Sequence, residues 1–373
     1  MTAERVPLAQ VMVPVAVKPS ETKPVETVKP SAITEDKNSE VRFFSTGSTL
    51  LDLALGGGWA HPFIFNLVGD KSSGKTLLGI EAFANFEHTF KNPQMRYAET
   101  ESRFDPVYAA SLGFPQSVKR PEDILETFED FRDDLYDFIK KCKPESPGLY
   151  ILDSLDALSD DAELKKYEKS QKTGKASSDD DEADSESSKG KGSYGTAKAK
   201  GMSAMLRMFN KDMSKNGVSL GIISQLRDNI GVTFGETSTR SGGRALNFYS
   251  SQIVWLREEG KKTRTEQGET RVVGVDTYAK VKKCSVGMPF REASFQILLG
   301  YGVDDEISLL NWLSTGSKYP AETVKELKKK LAVARDKQDY ATLDELLSQL
   351  RADTTRVWKD IEKNLAPTTR KYR

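Results

Sequence analysis

An α/β fold built on a central sheet is what this chain predicts, and three observations carry the prediction. A short apolar run, Phe63-Ile64-Phe65-Asn66-Leu67-Val68, leads straight into Gly69-Asp70-Lys71-Ser72-Ser73-Gly74-Lys75-Thr76, and that segment opens a stretch of helical character from Leu77 to Phe83. A second apolar run, Gly148-Leu149-Tyr150-Ile151-Leu152, closes on Asp153. Strand-like and helical stretches alternate through most of the remaining chain.

The segment from Gly69 to Thr76 reads G-x-x-x-x-G-K-[ST], and it has the strand before it and the helix after it that a phosphate-binding loop needs. Gly69 and Gly74 let the backbone turn tightly, so that the N–H groups of Asp70, Lys71, Ser72 and Ser73 can approach phosphate oxygens. The helix N-terminus adds partial positive charge at the same place. In such a loop Lys75 reaches the β- and γ-phosphates of ATP, and the Thr76 hydroxyl sits on Mg²⁺. Asp153 holds the Mg²⁺ shell directly or through water. A strand ending in Asp is weak alone and becomes specific beside the loop.

Composition bounds the partners. Lys and Arg total 55, as do Asp and Glu, so net charge offers nucleic acid no overall attraction and any such binding must use local patches. Cys142 and Cys284 show no metal spacing, which predicts idle thiols in a reducing compartment. The first apolar stretch, Val11 to Val17, is short and broken by Pro14, so neither a secretion signal nor a membrane span is expected and the predicted location is cytoplasmic.

In chain order, residues 1–40 are rich in Pro, Lys, Thr, Val and Glu and predict a flexible arm, in which Val11 to Val17 could add to a sheet edge of another subunit. Residues 41–315 are expected to form the ordered core. Met95 to Ala98 reads as a strand running into Glu99-Thr100-Glu101; alternation puts both glutamates on one side, so spacing does not separate them as candidate bases. Residues 121–141 predict a helix with Pro121 in its first turn and Ile124, Leu125, Phe128, Phe131, Leu135 and Phe138 as its core face. Residues from about 160 to 200 hold an acidic block, Asp179 to Glu186, and a basic, glycine-rich run, Lys189 to Lys200; they predict a mobile insert. Met202 to Met213 predicts a helix, and Val218 to Ser224 a strand ending at Gln225. A polar, glycine-bearing loop with arginines follows to Arg244. Strands over Gln252 to Arg257, Asp276 to Lys282 and Ala293 to Leu299 are expected to extend the sheet antiparallel, and residues 316–373 predict a helical tail.

Taken together these residues resemble the RecA family of DNA recombinases, and around Glu101 also its phage UvsX branch. The resemblance runs from about Ser45 to Val303. Its motifs are Ser45-Thr46-Gly47-Ser48 with Leu51 to Gly56, the phosphate loop, Glu101 with Asp105-Pro106-Val107-Tyr108-Ala109, Ile151 to Ser154, and the run from Gln225 to Tyr249. That last run, with Gln225-Leu226-Arg227, Ile230-Gly231-Val232, Phe234-Gly235 and Gly242-Gly243, looks like the family's second DNA-binding loop. The implied fold is a RecA-like P-loop ATPase core with a mostly parallel central sheet.

The resemblance selects Glu101 as the group that orients the attacking water, and implies adenine contacts for Asp105 and Tyr108. It makes Gln225 the sensor of the γ-phosphate and Lys283 one of two lysines that reach ATP across a subunit interface; the second position holds Ser285. It further implies DNA contacts for Lys200, Arg207, Arg227, Arg240 and Arg244, for the backbone of Gly242 and Gly243, and for Ile230 or Phe234 wedged between bases. The activity implied is ATP-dependent strand exchange by helical filaments on single-stranded DNA that sample double-stranded DNA. Single-strand-binding and loader proteins are expected partners. A recombination mediator and a ring-shaped helicase motor are the competing readings. The unusual ends and the UvsX likeness are compatible with a phage origin.

Overall fold

The computed structural model describes residues 41–121, 124–159, 193–228, 238–240 and 243–367, which lie in one unit, Ile33–Arg373. Eleven strands are described: β1 Arg42–Phe44, β2 Trp59–His61, β3 Ile64–Gly69, β4 Gln94–Glu99, β5 Gly148–Asp153, β6 Val218–Asp228, β7 Ser238–Arg240, β8 Gln252–Glu266, β9 Glu269–Cys284, β10 Glu292–Leu298 and β11 Gly302–Asp304. The first two pair antiparallel as a separate ribbon. The rest form a nine-stranded sheet in the order β11-β10-β9-β8-β3-β6-β5-β4, with β7 attached to β6.

Helices cover both faces. They are α1 Thr49–Leu55, α2 Lys75–Thr89, α3 Pro106–Ser111, α4 Phe128–Lys141, α5 Ser193–Asn216, α6 Gly243–Tyr249, α7 Asp305–Ser314, α8 Ala321–Asp336 and α9 Tyr340–Leu365. Side-chain alternation sorts the core. Leu149, Ile151, Leu67 and Ile223 pack with α1, α2 and α7–α9, while Tyr150, Leu152, Leu220 and Ile222 pack with α4, α5 and α6. Strands β3 and β5 are buried along their whole length, as strands covered on both faces must be.

The block β4-β5-β6-β3-β8 is parallel. This corrects one expectation: Gln252 to Arg257 runs parallel to β3, and the antiparallel extension begins with β9. Strands β8 and β9 are also longer than their apolar parts, because a two-residue turn with positive φ at Gln267 and Gly268 lets charged arms pair outside the core.

Two helix boundaries differ from expectation. The helix predicted from residue 121 starts at Phe128, where the Thr127 side chain accepts from Asp130 N and the Asp130 carboxylate accepts from Thr127 N; this capping box overrides Pro121. The insert expected to be mobile to residue 200 is helical from Ser193. Lys198 Nζ, on that extra length, donates to Leu155 O (2.7 Å) and Leu158 O (2.6 Å). The arm at 1–40 and the acidic block at 179–186 lie outside the described residues. The predicted C-terminal helices are present and bury Val324, Leu331, Ala334, Leu346 and Leu350. Both cysteines are free and buried, and burial pushes the Cys142 thiol up to about 12. No described helix is long and apolar enough to cross a membrane.

Candidate functional site

Strand register decides where the chemistry gathers. Gly69 lies opposite Gln225, and Glu99 opposite Asp153, so four residues singled out by sequence gather along the carboxyl edge of the parallel block. Ligands of open α/β sheets bind at that edge. A cavity of about 570 Å³ opens there. Its floor is Lys71 to Thr76; its walls include Glu99, Glu101, Asp105, Tyr108, Asp153, Ser154 and Gln225, with Phe104, Val275, Ile297 and Leu299 as apolar surface.

The two loop glycines leave no room for a side chain. A Cβ on Gly69 would stand 2.6 Å from Leu256 O, and one on Gly74, at φ +92°, would stand 2.4 Å from Ile297 Cδ1. Ser73 Oγ donates to Asp70 O at 2.8 Å, and Lys75 Nζ donates to the same carbonyl at 2.6 Å. Burial lowers the Lys75 pKa, opposed by the carboxylates of Asp153, Asp70, Glu101 and Asp156.

Asp153 is buried, and its Oδ2 accepts from Thr76 Oγ1 (2.7 Å) and Tyr97 OH (2.9 Å). Burial raises its pKa, opposed by those two hydroxyls. A hydroxyl and a carboxylate oxygen at this spacing beside a phosphate loop suit Mg²⁺, a hard cation that shares its shell with phosphate and water. Among the described residues no group of three His, Cys, Asp or Glu side chains gathers to bind a metal by itself.

The two glutamates that spacing left equivalent are distinguished by their partners. Glu99 Oε1 accepts from the backbone N–H of Glu101 (2.8 Å) and Arg103 (3.1 Å), closing the turn after β4. Glu101 Oε1 instead accepts from Ser154 Oγ (2.9 Å) and Gln225 Nε2 (2.8 Å), and Arg103 stands 3.3 Å from its other oxygen. Glu101 therefore faces both the end of the Asp153 strand and Gln225, where β6 leaves its pairing with β3. Asp105 caps α3, accepting from Val107 N (2.9 Å) and Tyr108 N (3.2 Å), which sets the half-exposed Tyr108 ring at the cavity wall.

Lys283 does not line this cavity. Its Nζ donates to Asn247 O (2.8 Å) and Phe248 O (2.9 Å) near the end of α6, and burial lowers its pKa. Lys200 and Arg207 are exposed on α5, and Arg244 is exposed on α6. Beyond Gln225, β6 and β7 form an antiparallel ribbon in which Arg227 lies opposite Thr239, and Arg240 opposite Leu226. Gly243 opens α6; Ile230, Phe234 and Gly242 lie outside the described residues.

Sequence reasoning missed Tyr97, Ser154, Asp156 and Lys198. Tyr97 sits two residues before Glu99 on one strand face, and Ser154 follows Asp153, so position alone could have flagged both. Asp156 Oδ2 accepts from Gln225 N at 2.7 Å, a pairing across 69 residues that leaves no local signal.

The family model for the RecA N-terminal domain matches residues 28–178 and 176–304. The protein named RecA of Prochlorococcus marinus (strain NATL1A) is 31% identical over 264 residues, 70% of this chain and 61% of the relative. That of Synechococcus sp. (strain CC9605) is 32% identical over 264 residues, covering 70% and 62%. That of Prochlorococcus marinus (strain AS9601) is 32% identical over 274 residues, covering 73% and 66%. The chain thus spans about three fifths of the length of the first of these relatives.

Proposed function

This chain belongs to the RecA family, and from that premise we propose that it is an ATP-dependent DNA strand-exchange recombinase. Subunits assemble on single-stranded DNA as a helical filament, take up double-stranded DNA and exchange strands in the cytoplasm. Single-strand-binding and loader proteins are natural partners of such a filament. The observation that carries the reading is the Gln225–Glu101 hydrogen bond of 2.8 Å, because Gln225 immediately precedes the stretch of β6, from Leu226, that pairs with β7. One residue belongs both to the nucleotide cavity and to the root of the arginine-bearing ribbon.

In this reading the loop amides and Lys75 bind the phosphates, and Thr76 with Asp153 holds Mg²⁺. Bound there with ATP, Mg²⁺ supplies neutralisation of charge on the transferring phosphoryl group. Glu101 orients the attacking water and takes its proton, held in place by Ser154. Asp105 and Tyr108 bind adenine, Tyr108 by stacking. Gln225 exchanges Glu101 for a γ-phosphate oxygen and so carries nucleotide state into the ribbon. Lys283, which is not among the residues lining its own cavity, is presented to ATP by a neighbouring subunit. Lys200, Arg207, Arg227, Arg240 and Arg244 bind DNA phosphates with the backbone of Gly242 and Gly243, and Ile230 or Phe234 separates bases.

Electron microscopy with single-stranded DNA and a slowly hydrolysed ATP analogue should show helical filaments. A strand-exchange assay should then be positive with ATP and negative for Lys75→Ala. Closed rings would support the helicase reading, and filaments without exchange the mediator reading.

A further inference from the structure

The turn after β5 has a connectivity that the nucleotide chemistry alone does not use. It comprises Ser154 and the 3-10 segment Leu155–Ala157, followed by Leu158, and three distant parts of the chain hold it. Thr100 Oγ1 donates to Ser154 O (2.8 Å) and accepts from Ser154 N (2.9 Å). Ser154 Oγ donates to Glu101. Asp156 Oδ2 accepts the backbone N–H of Gln225 at 2.7 Å. Lys198 Nζ on α5 donates to Leu155 O at 2.7 Å and Leu158 O at 2.6 Å. Leu155 and Leu158 are themselves buried against the face that carries α4, α5 and α6. The turn is therefore anchored at its base and gripped from both sides.

Both grips lead to elements read above as DNA-facing. Helix α5 carries Lys200 and Arg207; β6 carries Arg227 and pairs with β7. Each grip uses an ionic side chain on a backbone group, a stronger bond than a neutral pair and one with a fixed direction. Gln225 is held twice: its side chain by Glu101, its backbone by Asp156. If the side chain leaves Glu101, the backbone bond remains. The change at the cavity is then passed to Leu226–Asp228 and its pairing with β7 instead of being absorbed by sliding of β6.

Resting on the recombinase reading, we propose that Asp156 and Lys198 are positioning residues: they tie the turn following Asp153 to the β6–β7 ribbon and to α5, so that nucleotide state is transmitted to both DNA-facing elements from one place. Neither touches the reacting atoms. Their effect is on the ratio of DNA affinities in two nucleotide states.

The test measures binding of the full chain to a fluorescent single-stranded oligonucleotide with a slowly hydrolysed ATP analogue and with ADP. Couplings of this kind typically span about 5- to 150-fold. Asp156→Ala and Lys198→Met should each reduce the wild-type affinity ratio about tenfold, with affinity for the nucleotide itself retained. Asp156→Asn keeps an acceptor oxygen and Lys198→Arg keeps a donor, so both should recover most of the ratio. An unchanged ratio in Asp156→Ala and Lys198→Met overturns the proposal. So does an equal loss of DNA affinity in both nucleotide states, which is what a purely structural role would give. Should Asp156→Ala fold poorly, Lys198→Met, on another element, decides alone. A wild-type ratio of one would instead sink the recombinase reading, before any variant is compared.

Discussion

Asp153 and Asp305 are both buried aspartates, and they differ in what answers their charge. Asp153 accepts from two neutral hydroxyls, those of Thr76 and Tyr97. Asp305 accepts from Thr49 N (2.9 Å), from Thr49 Oγ1 (2.6 Å) and from the guanidinium of Arg351 (3.1 Å). Its neighbours follow the same rule: Arg335 donates to both oxygens of Asp304 (2.9 and 2.6 Å) and to Glu306 (3.2 Å). A carboxylate met by a guanidinium is electrically closed and serves the architecture. One met only by hydroxyls keeps its attraction for a cation. The cavity at the strand ends and the C-terminal helical region are thus built from the same residue types with opposite electrostatic completion.

The largest expected effect lies in the first region. Glu101→Gln should slow ATP hydrolysis by at least about a hundredfold, the scale of a lost general base, with nucleotide binding retained. Glu99→Gln should be far milder, because the amide oxygen can still accept the turn N–H groups that Glu99 now holds. Steady-state turnover of the two variants checks this. Equal losses would erase the distinction between the glutamate that bonds Ser154 and Gln225 and the one that closes the turn.

Next comes Arg335→Ala in the second region, which strands Asp304 and Glu306. Urea unfolding should show a loss of about 2 kcal/mol, below the roughly 3–5 kcal/mol of a fully buried pair, because the Arg335 side chain is 31% exposed. Nucleotide affinity should hold. If it falls in parallel with stability, the two regions are not separable.

Glu81 is the intermediate case and carries the smallest effect. It lies on α2, its Oε1 accepts from Val303 N at 2.7 Å, and burial pushes its carboxyl from 4.5 to about 7. The folded state therefore holds a proton that the unfolded chain releases above pH 4.5, so this group's contribution to stability falls as pH rises from 4.5 towards 7. Asp52, raised from 3.8 to about 6 by burial, acts in the same sense. His61, lowered from 6.5 to about 4 by burial, acts in the opposite one, removing stability as pH falls through that window. Glu81→Gln should flatten the fall in melting temperature between about pH 5 and pH 8 by a few degrees. An unaltered profile would mean that the Glu81 carboxyl does not titrate there.

The parallel half of the fold was legible because its strands are continuous apolar runs punctuated by glycine or acid. The phosphate loop was legible because its glycines and Lys75 form a local pattern. What escaped depends on distant partners. The first turns of α5 have a composition that suggests no structure, yet Lys198 finds two carbonyls forty or so residues back. The start of α4 was hidden because Leu125, though buried, precedes the cap at Thr127. The parallel course of β8 was unreadable because alternation says which face a residue takes and nothing about strand direction. Spacing left Glu99 and Glu101 equivalent; backbone geometry after β4 separates them, since the strand ends at Glu99 and the next residues bend back over its carboxylate.

The bond from Arg351 to Thr49 joins residues 302 positions apart. A ribosome adding roughly 5–20 residues per second needs on the order of half a minute to cover that span. Throughout that interval the nascent α/β core lacks the guanidinium that seals the N-terminal end of α1. The seal closes only once α9 is translated, which makes it a late event in the birth of each molecule.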